Sequence, residues 1–157
     1  MRGLIIENIS NSYKVKNLEN AEIFTATARG KFKKENVTPV VGDTVEFEIL
    51  DKEKNEAEIE KIEERSVYVK RPKLANITQI IFVVSMKSPK PDLLMLDKQL
   101  AFAEFLGIKV VIVLNKTDLS DNKEYQDIKN IYEKIGYKVI VTIAKEKKGI
   151  DVLKKEL

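Results

Sequence analysis

Val110-Val111-Ile112-Val113-Leu114-Asn115-Lys116-Thr117-Asp118-Leu119 runs from an unbroken apolar strand straight into Asn-Lys-x-Asp. A continuous apolar run of this length suits a strand covered on both faces, as in a parallel sheet. In such sheets ligands bind at the carboxyl ends of the strands. The tetrapeptide at this end has the chemistry to read guanine. A carboxylate at Asp118 accepts two parallel hydrogen bonds from guanine N1–H and N2–H₂, a pairing that adenine cannot offer. Asn115 either braces the loop or reaches the N7 side of the purine. The stem of Lys116 is suited to lie over the flat base while its ammonium stays in water. A plain turn with a helix cap is the alternative, since Asn and Asp favour both.

The sequence on either side supports an α/β domain. Downstream, Asn122 to Ile135 carries Tyr125, Ile128, Ile131, Tyr132 and Ile135 at helical spacing and ends at Gly136. Val139-Ile140-Val141 then reads as another strand, and Thr142-Ile143-Ala144-Lys145 follows it. In guanine-nucleotide folds a Ser-Ala-Lys-like loop at this place offers a backbone N–H to guanine O6. Ala144 is small enough to let the base approach, Lys145 follows it, and Ile143 stands where Ser is usual. A last helix is expected over Ile150 to Leu157. Upstream, Ile80-Ile81-Phe82-Val83-Val84 reads as a strand buried on both faces. Asp92 starts a helix whose apolar face is Leu93, Leu94, Leu96, Leu100, Phe102, Ala103 and Leu106, and Gly107 stops it. Three strands alternating with helices imply a parallel sheet.

The first 70 residues have a different texture. Leu4-Ile5-Ile6, Tyr13-Lys14-Val15, Ile23 to Ala28, Thr44 to Ile49 and Ala57 to Ile62 are short and partly alternating, with turns between them. Five such strands fit a small closed barrel, with an OB-fold preferred over an SH3-like barrel. Glu46, Glu48, Glu58 and Glu60 alternate along two of the strands and belong to its wet face. Lys31, Lys33 and Lys34 cluster after the third strand and suit a phosphate backbone. Phe32 among them either stacks on a base or packs inward. A second basic cluster is Lys70, Arg71 and Lys73.

Composition excludes whole classes of chemistry. The 157 residues contain no Cys and no His, which removes disulfides, Cys/His zinc sites, thiol nucleophiles and His-based acid/base catalysis. At 43% hydrophobic and 34% charged the chain can bury a core, and it holds no membrane-length apolar run. Met1 to Glu7 is no signal peptide, and the cytoplasm is the expected compartment. The net charge of +3 arises beyond residue 76, because residues 1–76 carry 14 basic and 14 acidic side chains. A charge this small does not establish a nucleic-acid partner.

Taken together these segments resemble the ribosome small-subunit-dependent GTPase A family (RsgA, YjeQ or EngC). The resemblance rests on Tyr13-x-Val15, Ala28-Arg29-Gly30-Lys31-Phe32-Lys33-Lys34 and Pro39-Val40-Val41-Gly42-Asp43-x-Val45 in the barrel. It continues through Arg71 to Gln79, Pro91-Asp92 to Asp97, Asn115-Lys116-Thr117-Asp118-Leu119 and Gly149-Ile150-Asp151. It implies an OB-fold over 1–70 that contacts ribosomal RNA, a hinge over 71–79 and a circularly permuted GTPase domain from 80 to 157. In that order the guanine-reading loops precede the phosphate loop. It also implies GTP or GDP as ligand, Mg²⁺ and Zn²⁺ in the intact protein, and the small ribosomal subunit as the activating partner.

The six glycines form no Gly-x-x-x-x-Gly-Lys-Ser/Thr motif, so neither the phosphate cradle nor its Mg²⁺ hydroxyl is expected in this chain. The expectation is a base-recognition half of the enzyme, inactive in hydrolysis by itself. The strand at 80–84 is expected to present an edge to a complementary polypeptide or a second copy. The alternative is a non-enzymatic RNA-binding module with a relic GTPase segment.

Overall fold

A computed structural model describes residues 1–30, 32 and 37–157. The chain divides into two compact units, Met1–Ile77 and Thr78–Leu157.

The first unit is a closed five-stranded barrel, the OB-like arrangement expected. Its strands are β1 (Arg2–Ile9), β2 (Ser12–Asn17), β3 (Ile23–Ala28), β4 (Thr44–Asp51) and β5 (Glu56–Ile62). Their order around the barrel is β1-β2-β3-β5-β4, and all pairs are antiparallel except β3 with β5. Alternation along each strand sends Ile5, Tyr13, Val15, Phe24, Phe47 and Ile59 into one core. The Phe24 and Phe47 rings meet there at 5.6 Å. The glutamates lie on the outer face, where Glu46 meets Lys61 and both Glu58 and Glu60 meet Arg29.

The barrel carries a small hairpin, β6 (Tyr68–Lys70) and β7 (Lys73–Ala75), where the sequence suggested only a hinge from residue 71. Asp43 holds it in place. That carboxylate is fully buried, accepts both Nε and Nη2 of Arg65 at 2.7 and 2.8 Å, and accepts the Val40 N–H at 2.8 Å. The Arg65 guanidinium also covers the Tyr68 ring at 4.7 Å. Gly42 has φ +92°, and a Cβ there would lie 1.9 Å from the Ala75 carbonyl oxygen, so only glycine permits this approach. Ala75 N–H donates to Val41 O, and Asn76 Nδ2 donates to Gly42 O.

The second unit is a parallel sheet ordered β10-β9-β8, from β8 (Gln79–Ser85), β9 (Lys109–Asn115) and β10 (Lys138–Thr142). Helix α1 (Leu93–Phe105) begins at Asp92, whose side chain accepts the Met95 N–H. Helix α2 (Asn122–Ile135) is capped by Asp121 and ends at Gly136 in the left-handed region. Helix α3 is shorter than expected, Ile150–Lys154.

Central β9 is buried throughout Val110–Leu114, as its apolar run implied. The run in β8 did not have that consequence. Among the described residues β8 pairs only with β9, and Val83 is 64% exposed. An apolar run does not distinguish a central strand from an edge. The α1 face also needs correction. Leu96, Leu100 and Ala103 are buried, while Leu94 and Phe102 point away from the core and are exposed. Apolar residues almost all round the helix leave its sequence without a unique face.

Candidate functional site

Asn115 is the last residue of β9, and every strand of the sheet ends on it. It is in register with Ser85 of β8 and Thr142 of β10. Its carbonyl accepts the Met86 N–H at 2.9 Å. Its side-chain Oδ1 accepts the Thr142 hydroxyl and the Ala144 N–H, both at 3.1 Å. Of the two roles open to this amide, bracing is the one formed here. Lys116 follows with φ +61°, which turns the chain sharply out of the strand into a single 3₁₀ turn, Thr117–Leu119. Thr117 is buried beneath, its hydroxyl facing Thr142 O at 3.5 Å. Thr117 therefore supports the loop from below, and Asp118 is exposed. Among the described residues no donor engages the Asp118 carboxylate, which leaves both oxygens available for a bidentate ligand.

The opposing wall is the loop after β10, a 3₁₀ turn over Ala144–Glu146. Two backbone bonds close it, Ile143 N–H to Lys148 O and Lys148 N–H to Ile143 O. Gly149 ends it at φ +76°, where a Cβ would lie 2.2 Å from the Val141 carbonyl oxygen. The Ala144 N–H expected to face guanine O6 is taken by Asn115 in this structure. The next amide, that of Lys145, has no acceptor among the described residues. Together Asn115, Lys116, Asp118, Leu119, Ile143, Ala144 and Lys145 line one cleft of about 350 Å³. That volume falls near the lower end of the roughly 300–1,000 Å³ of small-molecule sites. Ile143 gives the cleft an apolar wall where the usual Ser would be polar.

Two features of the cleft were not legible in the sequence. Lys116 Nζ donates to Ser88 O at 2.6 Å, so its ammonium is anchored on the loop after β8. Lys148 pairs with Glu146 at 2.6 Å. Its pKa is raised, first by that hydrogen bond and its charge, and further by the negative charge of Asp118.

The barrel residues are placed differently. Phe32 is 6% exposed and belongs to the barrel core, the inward of its two expected roles. Lys31, Lys33 and Lys34 lie outside the described residues. Among the described residues no three Asp or Glu side chains gather to hold a metal, and the chain contains no Cys or His. No helix among them is long and apolar enough to cross a membrane.

Two family models cover the chain. One described as the RsgA N-terminal domain matches residues 2–59, and one described as RsgA GTPase matches residues 62–157. The small ribosomal subunit biogenesis GTPase RsgA of Clostridium botulinum (strain 657 / Type Ba4) is 41% identical over 155 residues, 99% of this chain and 52% of that protein. Its counterpart in Ruminiclostridium cellulolyticum is 40% identical over 155 residues, 99% of this chain and 50% of that protein. The crystal structure of YjeQ from Thermotoga maritima aligns with a TM-score of 0.86 at 33% identity, over 99% of this chain and 56% of that one. YloQ, described as a circularly permuted GTPase, aligns with a TM-score of 0.82 at 27% identity, over 99% and 56%. The chain thus spans about half the length of the relatives it matches.

Proposed function

Because the chain belongs to the RsgA GTPase family, we propose that it carries the guanine-reading half of a ribosome-stimulated GTPase that acts in late maturation of the small ribosomal subunit. The observation that carries this reading is the cleft at the end of β9 and β10. There the uncommitted carboxylate of Asp118 lines the same cleft as Ala144 and Lys145. Asp118 takes N1–H and N2–H₂, the Lys145 amide serves as the backbone donor to O6, and Asn115 ties the two loops together. The barrel contacts ribosomal RNA, with Lys31, Lys33 and Lys34 supplying charge, and the protein works in the cytoplasm.

Hydrolysis needs a backbone cradle for the phosphates and a metal that bridges them. The sequence contains no phosphate-loop motif, so the chain by itself reads the base and does not turn GTP over. The open edge of β8 is the place where a complementary polypeptide or a second copy adds a strand.

Calorimetric titration with GDP and ADP tests the base pocket. Wild type binds GDP in preference to ADP. Asp118→Ala loses two charge-assisted hydrogen bonds, each worth about 1.5–3 kcal/mol, and weakens GDP binding by at least about tenfold. Equal GDP affinity in the variant, or equal affinity for ADP in wild type, contradicts the assignment.

A further inference from the structure

The β6–β7 hairpin is a three-residue pair joined through Arg71 and Pro72, and it puts like charges where a sheet disfavours them. Lys70 and Lys73 are direct cross-strand partners. Opposed like charges destabilise a hairpin, and Arg71 adds a third positive charge in the turn between them. All three side chains are exposed. Among the described residues of this unit Arg2, Lys14, Arg29, Lys54, Lys61 and Arg65 each lie against a carboxylate, while Lys16 and Lys52 do not. Among the described residues Lys70, Arg71 and Lys73 have no such partner.

The hairpin is also held firmly on the barrel. The close packing of Gly42 on Ala75, the Asn76 bond to Gly42 O and the buried Asp43–Arg65 pair all fix its base. A short, self-repelling hairpin on so specific a mount is a local conflict of the kind that marks functional sites.

We propose that the Lys70-Arg71-Pro72-Lys73 turn is a contact for the phosphate backbone of RNA. Bound phosphates fill the space between like charges and replace their repulsion with attraction. Three cations gathered in one exposed turn suit phosphates of one strand, and contacts of that kind position an RNA without selecting its sequence. The proposal rests on the reading of this chain as an RNA-binding family member and names a surface for it.

The test is fluorescence anisotropy with a labelled RNA stem-loop of mixed sequence, from about 50 to 200 mM salt. The triple variant Lys70→Gln/Arg71→Gln/Lys73→Gln weakens binding by about tenfold or more and lowers the slope of log K against log salt by about two to three. A control with the same charge removed from the second unit, Lys98→Gln/Lys123→Gln/Lys134→Gln, retains most of the affinity. Thermal melts of the hairpin variant show no loss of stability, because the repulsion is gone.

Equal losses in the two variants assign the effect to net charge and overturn the proposal. Tight binding to poly-glutamate that depends on the same three residues overturns it in favour of an acidic protein partner. RNA binding by wild type that the hairpin variant retains overturns this surface alone. No RNA binding by wild type overturns both this surface and the wider RNA reading.

Discussion

Asp118 and Asp43 show how one residue type serves two ends. Asp118 is exposed and uncommitted, so its two oxygens are free for a ligand. Asp43 is fully buried and satisfied by Arg65 and the Val40 N–H. Removing Arg65 strands a buried carboxylate, and breaking a pair of this kind costs about 3 kcal/mol or more. Arg65→Ala should lower the urea midpoint of the barrel unit accordingly, and an unchanged midpoint shows that water takes over the role of Arg65. The difference between these two aspartates was only half legible. Asn-Lys-x-Asp after an apolar strand declared Asp118, because strand and loop are contiguous in sequence. The partner of Asp43 lies 22 residues away, and nothing local marks it. The same holds for the Asn115 bond to Ala144, 29 residues on, which shifts the free backbone donor from Ala144 to Lys145.

Elements with a clean period were readable. The five barrel strands alternate, and α2 repeats its apolar residues at helical spacing between Asp121 and Gly136. Elements without a clean period were not. Strands β6 and β7 have three residues each, too few for alternation to register. Helix α1 has apolar residues on more faces than the sheet covers. Polar bonds help fix how the second-unit elements dock. Tyr132 Oη donates to Asp97 at 2.7 Å, and Tyr137 Oη donates to Glu104 at 2.5 Å, both onto α1. Desolvation first, and the bond to Glu104 second, push the Tyr137 pKa up to about 12. The ordinary value is about 10. Between these two values the folded chain keeps a proton that the unfolded chain releases. Stability from this group is therefore whole below about pH 10 and falls as pH rises towards 12. Urea unfolding at pH 8 and pH 11 should show a smaller alkaline loss in Tyr137→Phe than in wild type. Equal losses would assign the effect to other groups.

At the scale of the molecule, the barrel and the parallel sheet each own a core. The second unit presents an edge strand with Val83 at 64% exposure, together with Leu94 and Phe105 at 66% and 85% on α1. Exposed apolar surface beside an open edge favours association. Light scattering should show wild type associating as concentration rises, and Val83→Lys should shift it towards monomer. A wild type that stays monomeric at high concentration contradicts the use of this edge. The central claim concerns which part of a nucleotide the chain recognises. Asn115, Lys116, Asp118, Ala144 and Lys145 line one cleft, while the sequence contains no Gly-x-x-x-x-Gly-Lys-Ser/Thr motif for the phosphates. The most direct test is amide chemical-shift titration of the whole chain with guanosine, GMP, GDP and GTP beside the adenosine series. The predicted result is similar affinity along the guanosine series, with shifts centred on residues 115–118 and 143–148 and little response to adenosine compounds. Affinity that climbs steeply with each added phosphate, or equal binding of the two bases, would contradict it.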